Sequence, residues 1–499
     1  MKRLTLGILA LAVLGVAQLA LASQHSQLVV AVDAFGDHRD LHRPPGNAAH
    51  TLMHIFDGLT ALDEDGNLVP ALAESWQAID DTTWVFDLRQ DVTFHNGEAF
   101  DASVVIANLQ RMSDPNEPRA NYSFDVVEGW RETGPYQFEI TTVAPDPLLA
   151  ARMKSFWMAP PSMLENARSD DFNRHPIGTG PFVFVEMAAD ERIVLAANPD
   201  YFRGPAQFDR LVFRAIPEAS SRVSELLTGG VDVVAGLQPE FLDLVESGST
   251  THVRTRVSPI NDFIILRTDI ESPLQDVRVR QAMNYAVDID TIIETLLSGY
   301  ATRHATIVHP FVLGYNPDVT PYPYDPERAR ALLAEAGYPD GFSVDFDVTP
   351  AVGGINNLEV AQAIVEQLSR VGIDVNLRNH EYGVMRTRVY GDRSASPMIR
   401  WQWKTWDNDP DGIFYGLLHS AGLGSFNSDP VIDELVMAGR FNLDQEDRAR
   451  IYAEVQEIIK EEATHIFLYY SDAIYGIADG VDWTPRIDER LFFYEAQIQ

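Results

Sequence analysis

Cysteine is absent from the 499 residues, which removes disulfide scaffolds, zinc ribbons, iron–sulfur clusters and cysteine nucleophiles in one step. Lysine is scarce, limited to Lys2, Lys154, Lys404 and Lys460, so arginine carries nearly all the positive charge. Basic residues number 38 against 73 acidic ones, and the formal charge of −35 would repel a polyphosphate backbone. Nucleic acid is therefore not an expected partner. After Leu21 no apolar run approaches the length of a membrane span. His-Glu-x-x-His, Gly-x-Ser-x-Gly and Gly-x-x-x-x-Gly-Lys motifs are missing too, so neither a common enzyme class nor a bound cofactor is expected. There is no fixed-period repeat, no low-complexity tract and no Gly/Ser linker.

What remains is ordinary globular composition, 45% hydrophobic and 22% charged, in a chain long enough for about three domains. Met1-Lys2-Arg3 followed by the apolar stretch Leu4 to Leu21 and the small residues around Ala22 reads as a cleavable export signal over residues 1–22. No cysteine follows the cleavage site to take a lipid, so a soluble periplasmic protein is expected.

Helix and strand patterns alternate along the rest of the chain. Leu28 to Val32 reads as a buried strand, and Trp84 to Phe94 as hairpin-like β structure ending at His95-Asn96-Gly97. Asp101 is placed to cap a helix through Leu109. Asp325-Pro326 starts a helix that Gly337 stops, Leu358 to Val371 forms another stopped by Gly372, and Asp444 to Glu462 leads into the strand-like run from Ile466 to Tyr470. Such alternation predicts α/β domains with mostly parallel sheets. Pro176-Ile177-Gly178-Thr179-Gly180-Pro181, stiff at both ends and loose between, is expected to be a crossing between domains, with Gly178, Thr179 and Gly180 as its pivot.

Several local patterns then fall in a familiar order. They are Ile55-Phe56-Asp57-Gly58-Leu59; Leu68-Val69-Pro70 through Glu74-Ser75-Trp76; Val92-Thr93-Phe94-His95-Asn96-Gly97; the Pro176 to Phe182 segment; Asn198-Pro199-Asp200-Tyr201; and Asp276-Val277-Arg278 with Ala286-Val287-Asp288. Together they resemble the extracytoplasmic solute-binding proteins of family 5, the peptide, nickel and oligosaccharide receptors of ABC importers. The resemblance implies a two-lobed α/β periplasmic-binding-protein fold (type II, cluster C) with an extra domain inserted in the first lobe. The expected division is lobe I from 24–50, 176–258 and 478–499, the insertion from 51–175, and lobe II from 259–477. It further implies reversible capture of a peptide or peptide-like solute, delivery to an ABC permease and ATPase, a monomeric protein and no catalysis. An oligosaccharide or nickel chelate is the alternative ligand, and a secreted hydrolase with paired carboxylates is the alternative of another class.

The densest polar and aromatic segment is Trp401-Gln402-Trp403-Lys404-Thr405-Trp406-Asp407-Asn408-Asp409-Pro410-Asp411-Gly412, a strand running into an acidic loop. Strand-end loops are the usual ligand sites of open α/β sheets. Asp407 resembles the aspartate with which dipeptide-binding relatives hold a ligand's ammonium. Trp403, Trp406 and Asn408 are the accompanying candidates, and Trp401 is equally suited to a core. The plain alternative is that Asp407, Asp409 and Asp411 cap a turn in solvent. A calcium loop is disfavoured, since Leu418 stands where the closing glutamate belongs, and no metal is expected. His419 is expected to be structural. Where dipeptide-binding relatives carry an arginine for the ligand carboxylate, this sequence has Ala351-Val352-Gly353-Gly354. That departure argues for longer peptides or a modified solute.

Overall fold

The computed structural model describes residues 26–35, 41–42, 48–113, 126–165, 174–350, 356–405, 408–427 and 429–499. The expected signal segment, Trp406, Asp407 and the Ala351 to Gly354 stretch lie outside the described residues.

One large mixed sheet runs through the molecule and is organised by two long strands, Thr251–Leu266 and His465–Ala478, paired antiparallel. On one side of them, Gln27–Val32 lies parallel between Arg210–Ala215 and Val233–Ala235, and the hairpin of Phe182–Ala188 and Arg192–Ala197 extends the edge. On the other side, Phe342–Val348 lies parallel to Ile373–Asn379 and Met398–Lys404, and the last of these pairs antiparallel with Ile260 to Leu266. Among the described residues four of the pairings in this sheet are parallel and six antiparallel, so the expectation of mostly parallel sheets is corrected. Apolar periodicity marks a buried strand without marking its direction, and here the two long strands and the edge hairpin return antiparallel.

Each half is covered on both faces, which accounts for the unbroken apolar runs. Leu28 and Val30 face a core with Phe182, Leu211 and Phe213, while Ala31 faces another with Val234, Leu226 and Ile474. In the second half Ile264 and Leu266 join a core with Val344, Phe346 and Ile364, while Phe263 and Ile265 join one with Ile399, Trp401 and Phe414. The helix punctuation follows the sequence reading. Asp325 accepts from the Arg328 amide at 2.9 Å to start Pro326–Glu335, and Asp444 caps Gln445–Glu461 in the same way. Gly337 and Gly372 both adopt φ +95°, a left-handed conformation that glycine takes without steric cost.

A separate four-stranded antiparallel sheet is formed by Ala73–Ala78, Thr83–Leu88, Gln137–Thr142 and Val127–Gly134. With the helix Ala102–Ser113 it encloses its own core around Phe86, Phe94, Val105, Phe138 and Phe156. Asp101 caps this helix as expected, accepting from Ser103 and Val104. The hairpin expected within Trp84 to Phe94 is rearranged. Thr83–Leu88 is flanked by Ala73–Ala78 and Gln137–Thr142, so Val92 to Phe94 turns at Gly97 and bonds to Glu98 and Phe100 instead.

Candidate functional site

The antiparallel ladder between the two long strands is broken at one place. Val257 opposes Asp472 and Asn261 opposes Tyr470, so three residues, Ser258, Pro259 and Ile260, face Ser471 alone. Pro259 has no amide hydrogen to donate, so a bulge is where a long strand tolerates it. The strands therefore change register where they pass from one half of the molecule to the other.

A cavity of about 460 Å³ opens at this crossing, within the size range of small-molecule sites. Ser258, Ile260, Ser471 and Asp472 come from the crossing itself, while His50, Gln238, Glu240 and Glu489 come from the first half and Asn356 from the second. His50 accepts the Leu491 amide at Nδ1 (3.2 Å), so its proton sits on Nε2. Burial first, then the nearby Arg490 and Lys404 charges, pushes its pKa down to about 3, and the ring is neutral. The half-buried Asp472 has one carboxylate oxygen, Oδ1, shut away from solvent with no hydrogen-bond donor among the described residues, and burial raises its pKa. Behind the cavity Arg400 and Asp262 form a buried ion pair at 3.5 Å. Arg400 also donates to the Asn357 carbonyl and the Tyr469 hydroxyl. Burial raises the Asp262 pKa, and Arg400 opposes the shift.

Two contacts tie the end of the strand Met398–Lys404 and the loop after it to the rest of the molecule. The Lys404 ammonium bonds to Glu489 at 2.6 Å, with both side chains about one-fifth exposed, and Asn408 donates from Nδ2 to the Gly66 carbonyl at 2.7 Å. Asn408 holds φ +52° to do so. Trp403 is half-buried against the helix Asp411–Leu417, close enough to Gly416 that a Cβ there would lie 2.8 Å from the indole. Trp401 is core, its indole N–H donating to the Tyr390 hydroxyl at 2.8 Å.

Asp409 and Asp411 are not solvated turn caps, which corrects that part of the plain alternative. Arg448, itself fully buried, holds Asp409 at 2.9 Å, and Arg440 lies 3.3 Å from Asp411. Burial pushes the Asp411 pKa up to about 6, with Arg440 lowering it and Asp409 adding to the rise. His419 stacks on Tyr415 and accepts from the Ala421 amide, a structural arrangement. Gly178 and Gly180 lie against the backbone of residues 54–55. A Cβ on Gly178 would meet the Ile55 carbonyl at 2.0 Å, and one on Gly180 the His54 carbonyl at 2.6 Å. Thr179, itself buried, donates to the half-buried Asp57 at 2.8 Å.

The structure thus places Asn408 against Gly66 and Trp403 against the helix Asp411–Leu417, while Gly178 to Gly180 form a close backbone junction. Sequence reasoning missed His50, Asp472, Glu489 and the crossing at Ser258-Pro259. The available signals were a proline inside the strand-like run from Val253 to Leu266 and an aspartate interrupting the apolar run from Ile466 to Ile477.

The sequence profile of the bacterial extracellular solute-binding proteins, family 5 (middle part), matches residues 67–425. Heme-binding protein A of Haemophilus influenzae is 30% identical over 438 residues, covering 81% of this chain and 79% of that protein. Di/tripeptide-binding protein 2 of Pseudomonas aeruginosa is 29% identical over 483 residues, covering 89% and 90%. The solved structure of HbpA2 from Haemophilus parasuis shares the two-lobed fold with a TM-score of 0.86 at 24% identity, over 95% of this chain and all of that one. Among the described residues no helix is long and apolar enough to cross a membrane. Profile, relatives and fold agree across most of the sequence: this chain belongs to the bacterial extracellular solute-binding proteins, family 5.

Proposed function

We propose that the protein captures a peptide or peptide-like solute between its two lobes in the periplasm and hands it unaltered to an ABC permease and its ATPase. The carrying observation is the cavity at the strand crossing, walled by residues of both halves, with the wall residue Glu489 bonded to Lys404 of the second half. A ligand held there is desolvated on both sides, so binding and closure reinforce each other. The named function of the di/tripeptide-binding relative favours a peptide as the solute.

On this reading residues 1–22 are removed on export, and the mature protein acts as a monomer. The first lobe is built from residues 24–50, 176–258 and 478–499, the domain of residues 51–175 is inserted into it, and 259–477 form the second lobe. Gly178, Thr179 and Gly180 make the crossing between the first lobe and the insertion. Asp407 anchors the ligand ammonium, with Trp406, Trp403 and Asn408 beside it. Its neighbours in sequence support this assignment, because Lys404 bonds across to Glu489 of the first lobe and Asn408 to Gly66 of the insertion.

Calorimetric titration with a library of di-, tri- and oligopeptides, followed by mass spectrometry of the recovered ligand, tests the proposal. One-to-one binding with an unchanged ligand mass is expected. A cleaved ligand, or no affinity for any peptide, contradicts it.

A further inference from the structure

Charges in the cavity wall are unevenly matched. Glu489 is satisfied by Lys404, but Asp472 and Glu240 make no ion pair among the described residues. No lysine or arginine lines the cavity among the described residues. The cations whose charges act on the wall residue His50 are Arg490 and Lys404, and Lys404 is engaged by Glu489. Burial is the sole cause of the shift at Asp472, with no contribution from any cation. Asp472 lines the cavity half-buried, and a charged donor from outside the chain, meeting the part of the carboxylate that faces the cavity, offsets the cost of that burial.

The rest of the wall suits the same guest. His50 is neutral, so it does not repel a cation, and Ile260, Ile474, Tyr475 and Leu491 give apolar surface for an aliphatic stem. Long basic side chains have this composition, an apolar stem ending in a charged head.

Resting on the reading of the protein as a peptide receptor, we propose that the cavity at the strand crossing is a specificity subsite for a cationic group of the solute. Asp472 is its counter-charge and Glu240 stands exposed at the entrance. The subsite takes the ammonium or guanidinium of a lysine- or arginine-type side chain. A peptide amino terminus or a free polyamine offers the same chemistry, and the arms of the test separate these sources.

The test is calorimetry on the full mature chain with matched tripeptides: Ala-Lys-Ala against Ala-norleucine-Ala, and Ala-Arg-Ala against Ala-citrulline-Ala. Each is used with free and with acetylated amino termini, and spermidine and arginine amide are titrated alone. Wild-type protein is expected to prefer the cationic member of each pair about tenfold to a hundredfold, as one charge-assisted hydrogen bond implies. Asp472→Asn should erase that preference while leaving the neutral peptides' affinity unchanged. Equal binding of charged and neutral partners by the wild type overturns the subsite while leaving the receptor reading intact. A preference that survives Asp472→Asn overturns the role of Asp472, and one that vanishes on acetylation alone reassigns the subsite to the amino terminus. If no peptide binds, the peptide reading fails. Spermidine or arginine amide binding lost in Asp472→Asn then still supports the subsite, and silence of both refutes it.

Discussion

The Lys404–Glu489 bridge is the clearest place to ask whether contact between the halves has energetic weight. It joins the end of the strand Met398–Lys404 to the C-terminal segment at an N–O distance of 2.6 Å, with side chains 19% and 20% exposed. A hydrogen bond between charged groups contributes about 1.5–3 kcal/mol, and partial exposure places this one toward the lower end. Lys404→Met should therefore reduce the ratio of closed to open protein by about tenfold to thirtyfold, each 1.4 kcal/mol being a factor of ten. Because a ligand enclosed by both halves binds only the closed form tightly, its Kd should rise as the closed fraction falls, by at most the same factor. Small-angle scattering of the free protein would show a larger radius of gyration, and calorimetry would report the affinity. Glu489→Gln in the same chain should restore part of the loss, since it removes the unpaired carboxylate left behind. Scattering curves and affinities indistinguishable from the wild type would refute the reasoning.

Three stability predictions rest on other parts of the molecule. Arg448→Met strands the buried Asp409 carboxylate and should cost about 3–5 kcal/mol in denaturant unfolding, whereas Arg448→Met with Asp409→Asn should recover most of it. Gly180→Ala forces a Cβ to within 2.6 Å of the His54 carbonyl and should destabilise by about 1–3 kcal/mol, read from the same unfolding curves. Lys460 lies over the Tyr322 ring with no hydrogen-bond partner for its ammonium among the described residues, and burial lowers its pKa to about 7. Its folded pKa is below the unfolded one, so the penalty is complete below pH 7 and is relieved as pH rises toward the unfolded value. Lys460→Met should accordingly raise stability at pH 7 by about 2–3 kcal/mol after allowance for partial exposure, and should flatten the rise between neutral and alkaline pH. A parallel pH dependence in both proteins would count against this.

Local signals in the sequence were read well where one residue decides the outcome. Asp101, Asp325 and Asp444 cap their helices, and Gly337 and Gly372 end theirs, because caps and left-handed glycines depend on neighbours within four residues. Strand partnership was not legible in the same way. Val92 to Phe94 has hairpin periodicity, yet one edge of Thr83–Leu88 is taken by the preceding strand Ala73–Ala78 and the other by the sequence-distant Gln137–Thr142. The site was half visible. The segment around Asn408 was recognisable from its aromatic and acidic density, but Asp409 and Asp411 looked like solvated turn residues because Arg448 and Arg440, their partners, lie 39 and 29 positions away. Asp472 and His50 carry no motif, and they meet only because two long strands cross where Pro259 interrupts their pairing.

The central claim is that a solute is enclosed by movement of two lobes. A chain without cysteine accepts one dye pair cleanly, at Val185→Cys in the first half and Val384→Cys in the second, both about half exposed. Single-molecule energy transfer between them should move to a shorter-distance population as a binding peptide is titrated, with a midpoint equal to the calorimetric Kd. Saturating peptide that leaves the distance distribution unchanged would contradict the account.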